Sequence, residues 1–343
     1  MFVIEVRYHD SVNVLQGLSL QDDGERVAAP FDSAQWFAWL AETGLQPCVA
    51  LATGDEQTLA MALTENSGRI EPLRNWYSFT WRPISNGGEN TERLLTSIAL
   101  DLKNRAHRVT LLPVPDEDGS ASRLARAFDA AGWRVEVTQC DTNHILGVEN
   151  RSFAEYWAAR PGKLRTTLKR KANKVSVTIT SQFDDGAWDD YERIYAASWK
   201  PVEGQPDMLR AYAKAEGAAR RLRLGLAYYE GDPIAAQFWT VENGIAYIHK
   251  LAHLEEFKKL SAGTTLSAAL FEQVIDTDRV KVVDFGTGNE PYKADWMEST
   301  RPRYQIDCIN LRAPRGWADL ARLTLGRLKS HDVPELARVP RSG

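Results

Sequence analysis

IAYIHKLAHLEEFKKLSAGTTLSAALFEQVIDTDRVKVVDFGTGNEPYKADW, residues Ile245–Trp296, reads as strand, helix, strand and a polar loop. IAYIHKLAH alternates apolar and polar side chains, as a half-buried strand does. GTTLSAALFEQVIDT has helical spacing, and VKVVDFG is a short buried strand. The loop after it packs two glycines, carboxylates, a Tyr-Lys pair and a Trp into about ten residues. A strand end does not need that density of proton-transfer and hydrogen-bonding groups. In an open α/β sheet, the ends of the strands are where ligand crevices form.

Upstream, SVTITSQ is expected as a strand, DYERIYAASW and MLRAYAKAEGAAR as helices, and RLRLGLAYYE, IAAQFWTV and IAYIHKLAH as a meander with turns at EGDP and ENG. YQIDCINL is a late strand. The first half has the same order: FVIEVRYHD is a strand and DSAQWFAWLAETG a helix closed by Gly44. A meander of PCVALAT, TLAMALTE and YSFTWRP follows, then a helix with Thr91 as N-cap, the strand RVTLLPV, the helix SASRLARAFDAAGW and the strand NHILGV. Two halves of one order predict a duplicated α/β unit, with mixed α+β sheets. The boundaries fall at 1–150, 151–312 and a tail over 313–343. At the junction, Ser152 and Glu155 make a capping box for SFAEYWAAR, and Pro161-Gly162 ends that helix.

The length of 343 residues, with 43% hydrophobic, is enough for two cores of ordinary size. Lys and Arg total 42 against 46 Asp and Glu, a net charge of -4. That balance is not the basic one of a general nucleic-acid binder. Cys48, Cys140 and Cys308 form neither a disulfide framework nor a zinc motif, so no metal is expected and a reducing compartment fits. MFVIEVRYHDSV has acidic residues early and no apolar core of a secretion signal, and no apolar run approaches a membrane span. The expected location is cytoplasmic, with room for peripheral contact on the inner membrane face. The 11 Trp suit either core filling or an apolar ligand tunnel.

Three further stretches carry chemistry. Lys258, Lys259, Ser261, Ala262, Gly263, Thr264 and Thr265 stand at a helix start, where unpaired N–H groups and the helix dipole favour a phosphate. KLRTTLKRKANKV holds Lys163, Arg165, Lys169, Arg170, Lys171 and Lys174 without an acid, either a solvated face or one turned to an anion. In the tail, Trp317, Leu320, Leu323, Thr324 and Leu328 share a helical face ringed by Arg315, Arg322, Arg327 and Lys329. It can lie on an anionic membrane or dock on its own domain. In the polar loop, Asp284, Glu290 and Asp295 are possible bases, Tyr292 a donor and Lys293 a cation for developing charge. His249 is a second candidate base, placed by strand alternation on one face with Leu251 and His253. DFG has no kinase companions here: the catalytic loop, lysine strand and glycine loop are all missing.

Taken together, the basic helix, Ser198-Trp199-Lys200, the meander, LSAGTTL and DFGTGNEPYKADW resemble the double-GNAT group of cellulose-biosynthesis or Fem-like acetyltransferases, over nearly the whole chain. The resemblance implies two tandem acyl-CoA N-acyltransferase folds. Ordinary members carry R/Q-x-x-G-x-G/A at the cradle, whereas here Lys258, Ser261 and Gly263 stand in those places. It implies acyl-CoA as co-substrate and direct attack by an amine, the acceptor being a lipid or cell-envelope precursor amine. His249 or Glu290, beside Asp284, would assist proton removal; Tyr292 and Lys293 would hold acceptor or oxyanion. Trp199, Lys200, Gln237 and Trp296 would be substrate contacts. The alternatives are a Fem-type transferase using aminoacyl-tRNA, with the basic helix as tRNA footprint, and a non-catalytic double-GNAT binding protein.

Overall fold

The computed structural model describes residues 4–18, 27–55, 57–88, 90–288 and 290–329. Along the chain run β1 (Glu5–His9), α1 (Ala34–Glu42), β2 (Cys48–Gly54), β3 (Gln57–Asn66), β4 (Arg69–Pro72), β5 (Ile84–Ser85), α2 (Thr91–Leu102), β6 (Arg108–Val114), α3 (Ser120–Ala130) and β7 (Arg134–Gly147). Next come α4 (Phe153–Ala158), α5 (Gly162–Lys171), β8 (Ser176–Thr180), α6 (Asp185–Ala196), α7 (Pro206–Ala218), β9 (Leu222–Tyr229), β10 (Asp232–Glu242), β11 (Ile245–His253), α8 (Ala262–Glu272), β12 (Val282–Thr287), β13 (Ser299–Ile309) and α9 (Pro314–Lys329). Two compact units result: Met1–Thr142 with Pro302–Gly343, and Asn143–Arg301. The chain passes from one to the other inside β7 and inside β13.

In the first unit the strands run in the order β1-β2-β3-β4-β6-β13, with β5 on β3. All neighbours are antiparallel except β4 and β6, which pair in parallel only at Arg69 with Arg108 and Ile70 with Val109. The third strand of this meander is β4, not the expected YSFTWRP. That segment instead lies along β6: the Trp81 N–H donates to Pro113 O (2.8 Å), and its indole N–H donates to Ala62 O (2.9 Å). The chain thereby supplies the partner that a parting parallel pair leaves missing. The helix α2 starts at Thr91 with Asn90 as its cap residue, one position earlier than expected. The tail helix α9 packs on this unit through Gly316 and Asp319, which are buried, and His107 lies 3.2 Å from the Asp319 carboxylate. Trp317 stays outside that contact, 59% exposed. The side chains of Thr324, Arg327, Leu328 and Lys329 lie outside the described residues.

In the second unit the order is β8-β9-β10-β11-β12, and residues 143–147 of β7 close it by pairing antiparallel with β12. Alternation along β10 sends consecutive rings to opposite faces. Phe238 meets Trp188 of α6 and Tyr212 of α7, while Trp239 meets Phe271 of α8 edge-on at 5.2 Å. Ser152 caps α4, its hydroxyl accepting from the Glu155 N–H, and Glu155 accepts from the Ser152 N–H in return. α7 comes so close to the chain before α6 that a Cβ on Gly217 would sit 2.5 Å from the Phe183 nitrogen.

Gly217→Ala is expected to lower stability by about 1–3 kcal/mol, because the backbone clash outweighs the roughly 1 kcal/mol that alanine adds to a helix. Urea denaturation of the two proteins measures it; equal midpoints would contradict the close approach.

Candidate active site

β11 and β12 run parallel but pair at only three positions: Ile245 with Val282, Ala246 with Val283 and Tyr247 with Asp284. Past these pairs β11 continues to His253 and β12 to Thr287, and their facing edges part. The opening has α8 starting on one side of the sheet and the link between α6 and α7 on the other. A parted pair of strands offers backbone N–H and C=O groups to a ligand in place of a neighbouring strand.

A bulge decides which side chains reach each side. Phe238 pairs with Lys250 and Trp239 with Ile248, leaving His249 as the extra residue. His249 and Lys250 therefore both turn to the α6/α7 face, whereas Leu251 packs with the core under α8. The expectation that His249 shares a face with Leu251 and His253 fails because alternation stops at the bulge. His249 Nε2 bonds Thr240 Oγ1 at 2.8 Å and approaches the Tyr212 hydroxyl at 3.4 Å, with its ring stacked on Phe238. Burial, aided by the Lys250 charge, pushes its pKa down to about 3. It is a neutral imidazole tied into the α6/α7 core.

Lys250 was not singled out from sequence; only a strand position next to a bulge would have marked it. Its Nζ donates to Glu203 Oε1 at 3.1 Å and to the Tyr195 hydroxyl at 3.4 Å. Burial pulls its pKa to about 8, Glu203 opposing and Lys200 adding to the fall. The Trp199 ring lies on His253, centroids 4.3 Å apart. The 198–205 link is thus pinned to β11 at two points, His253 and Lys250.

The loop after β12 brings Glu290, Tyr292 and Lys293 to the same side. Lys293 Nζ donates to Thr287 O (2.5 Å) and pairs with Glu290 Oε2 (3.0 Å), and it is 4% exposed. Gly288 sits at φ +107°, a backbone conformation that L side chains rarely adopt, and a Cβ there would also push on Glu290 Oε2 at 2.6 Å. Burial tends to raise the Glu290 pKa, but the bond from Lys293 and the Lys200 charge hold it below the ordinary value. Burial, with Glu290 adding, lifts Tyr292 to about 12, so it is a phenol and a donor. Burial also lowers Lys200, with Lys293 adding and Glu290 opposing.

Asp284 sits apart from these groups. Its Oδ1 accepts from Asn143 Nδ2 (2.6 Å) and from the Gly286 N–H (2.8 Å), and its Oδ2 from Arg301 (3.2 Å). Arg301 also donates to Asn143 Oδ1 at 3.1 Å. The carboxylate fastens β12 to the end of β7 and the start of β13, with its lone pairs taken.

Residues 162–294 match the family model described as acetyltransferase (GNAT) domain. That match lies within the second unit. No curated protein matches the chain significantly. Among solved structures, the fold is similar to that of FemX, at 9% identity over 93% of this chain and 99% of that one, with a TM-score of 0.62. L-PGS from Bacillus licheniformis is similar at 12% identity over 78% and 86%, TM-score 0.52. A tandem GNAT protein from the clavulanic acid biosynthesis pathway is similar at 14% over 89% and 98%, TM-score 0.50. The architecture is a mixed α/β fold of the GNAT type.

In the second unit the predicted cradle does stand at a helix start: Ser261, in the left-handed region at φ 55°, precedes α8. Lys171 of α5 reaches across to it, donating to Lys259 O (2.7 Å) and Ser261 Oγ (3.1 Å). So the end of the basic helix is turned toward the α8 N-terminus. Ala262 and Thr265 are buried, while Gly263 and Thr264 are less covered. Lys258 pairs with Glu255 at 3.3 Å. Gln237 is buried and committed, donating to Ser267 Oγ (2.7 Å) and Gly263 O (3.2 Å) and accepting from the Trp239 indole. Trp296 is stacked on Phe271 at 5.0 Å inside the core, and its carbonyl accepts from Tyr156. The structure brings together Trp199, Lys200, Glu290, Tyr292 and Lys293 on one side; it puts Gln237 and Trp296 into packing.

Because His249 takes up its proton only near pH 3 when folded and near 6.5 when unfolded, the unfolded chain gains protons first as pH falls. Stability from this group is essentially complete above pH 6.5 and drops toward pH 3, by about 2.5 kcal/mol at pH 4.5. Denaturation at pH 7 and 4.5 should show a smaller loss in His249→Gln than in the native chain. Asp284→Ala takes one acceptor each from Asn143, Arg301 and the Gly286 N–H and is expected to cost about 3 kcal/mol in the same assay; a cost below about 1 kcal/mol would show the node to be dispensable.

Proposed function

We propose that the chain is an acyl-CoA-dependent N-acyltransferase that acylates an amine on a lipid or cell-envelope precursor, within the cellulose-biosynthesis and Fem-like group. The observation that carries this is the three-pair ladder between β11 and β12. The amide-rich arm of CoA is a natural occupant of the opening, since its N–H and C=O groups match strand edges. Its pyrophosphate would rest at the start of α8, beside Lys171, Ser261 and Thr264, where the dipole and unpaired N–H groups favour negative charge. The thioester would then stand between the sheet faces, with the acceptor arriving on the α6/α7 side. In the first unit Trp81 instead bonds Pro113 of β6 and Ala62 of β3 beside its parting parallel pair.

On the acceptor side we assign proton removal to Lys250. At a pKa near 8, roughly a tenth of it is neutral at pH 7 and able to take a proton from an arriving ammonium. The freed amine attacks the thioester carbonyl carbon, the C–S bond breaks, and the CoA thiolate receives the second amine proton. Tyr292, a phenol throughout this range, would donate to the developing negative oxygen. Glu290, held ionised, serves to position Lys293.

Calorimetric titration with CoA and acetyl-CoA tests the reading. One equivalent per chain is expected. Thr264→Glu should weaken it at least tenfold while circular dichroism stays unchanged, since an acid suits a helix start but repels a phosphate. Two equivalents, or an unaffected variant, would contradict the assignment. Salt-sensitive tRNA binding without CoA binding would move the chain to the aminoacyl-tRNA-dependent reading.

A further inference from the structure

Lys200 is the cation of the site with no carboxylate at ion-pair distance among the described residues: the Glu290 charge reaches it, but Glu290 is paired with Lys293. It follows Trp199 in the link between α6 and α7, and its ammonium stands 5.3 Å from the Trp199 ring centre. Its backbone N–H donates to Ser198 Oγ (3.2 Å), but among the described residues no carboxylate pairs with its ammonium. The two lysines whose charges couple to it are both engaged: Lys250 with Glu203 and Tyr195, Lys293 with Glu290 and Thr287. Three ammonium groups face two carboxylates, so one positive charge is left over in a half-buried place. The neighbouring His253 adds none, as burial and Lys200 itself hold it neutral, with Glu255 opposing. A partly desolvated cation without a partner is costly unless a ligand brings the anion.

We infer that Lys200 receives a phosphate or carboxylate group of the acceptor, so that the substrate class is an anionic amine, not a neutral amine or a polyamine. The inference rests on reading the opening as an acyl-transfer site. The Trp199 ring beside the lysine is 48% exposed, and Tyr292, on the loop that carries Glu290 and Lys293, is 37% exposed; these rings offer flat surfaces to the part of the acceptor between its anion and its amine. The same charges act on the nucleophile: an ammonium brought near Lys200, Lys250 and Lys293 loses its proton more readily, while the anion on the same molecule is held. A polyamine would meet repulsion at both ends.

The test is titration of inorganic phosphate, and separately of acetate, into the CoA-saturated protein. The native chain is expected to take one phosphate or acetate; Lys200→Met should weaken this at least tenfold, and Lys200→Arg should keep it. Unfolding temperatures of both variants establish that the fold is intact, and Lys200→Arg reads the charge even if the methionine variant is lost. No anion uptake with CoA bound, or unchanged uptake in Lys200→Met, overturns the inference. If CoA fails to bind yet phosphate still binds through Lys200, the acyl-CoA reading falls and the anion site stands. Vesicles of phosphatidylglycerol against phosphatidylcholine separate the sources: binding to the former alone, displaced by phosphate and lost in Lys200→Met, gives a lipid headgroup. Lys200-dependent phosphate uptake without vesicle binding gives a soluble acceptor.

Discussion

A strand edge inside a protein has to find hydrogen-bond partners, and this molecule meets that demand in two ways at equivalent places. Each unit contains a parallel pair that separates after two or three residues. In the first unit the chain turns back and supplies Trp81 to Pro113, so the edge is satisfied internally. In the second unit, among the described residues, no segment bonds the facing edges of β11 and β12 in this way. The bulge at His249, the glycine-rich loop after β12 and the anchored 198–205 link all border the same opening. The asymmetry between two otherwise similar units is thus a difference in how one backbone requirement is met.

The electrostatics of the acceptor side follow from crowding more than from any single group. Lys200, Lys250 and Lys293 come from three separate elements; the Lys200 charge opposes protonation of Lys250, and the Lys293 charge opposes that of Lys200. Two carboxylates keep the set from deprotonating altogether. Lys250 ends near neutrality because burial and its neighbour outweigh Glu203. A solitary lysine on the same strand would have remained a plain cation.

Much of this was legible in the sequence, and the rest was not for identifiable reasons. The helix after GTT, the buried VVDFG strand and the capping box at Ser152 follow from local periodicity and local hydrogen bonding, which sequence carries directly. The loop from Gly286 to Trp296 stood out by its chemistry, and Glu290, Tyr292 and Lys293 do gather on one side. YSFTWRP has the composition of a strand, but which edge it fills depends on where β6 lies, a long-range fact. His249 was put on the wrong face because one bulged residue reverses alternation, and nothing in IAYIHKLAH announces the bulge. Gln237 and Trp296 look like ligand contacts by type, yet their partners, Ser267 and Phe271, come from the far side of the sheet. Lys250 drew no notice because its lowered pKa comes from burial, which local sequence does not announce, with Glu203 opposing it from 47 positions away.

The exchange of strands at β7 and β13 has a further consequence for how the chain is made. β6 needs β13 beside it, and Arg108 and Thr110 bond Asp307 across 199 and 197 positions. The first unit therefore stays one strand short until residues 299–309 have left the ribosome, although its other strands are made within the first 150 residues. The second unit, by contrast, has its borrowed piece, residues 143–147, already in hand when synthesis of its own sequence begins. Order of synthesis and order of completion are reversed: the unit translated first is the one finished last.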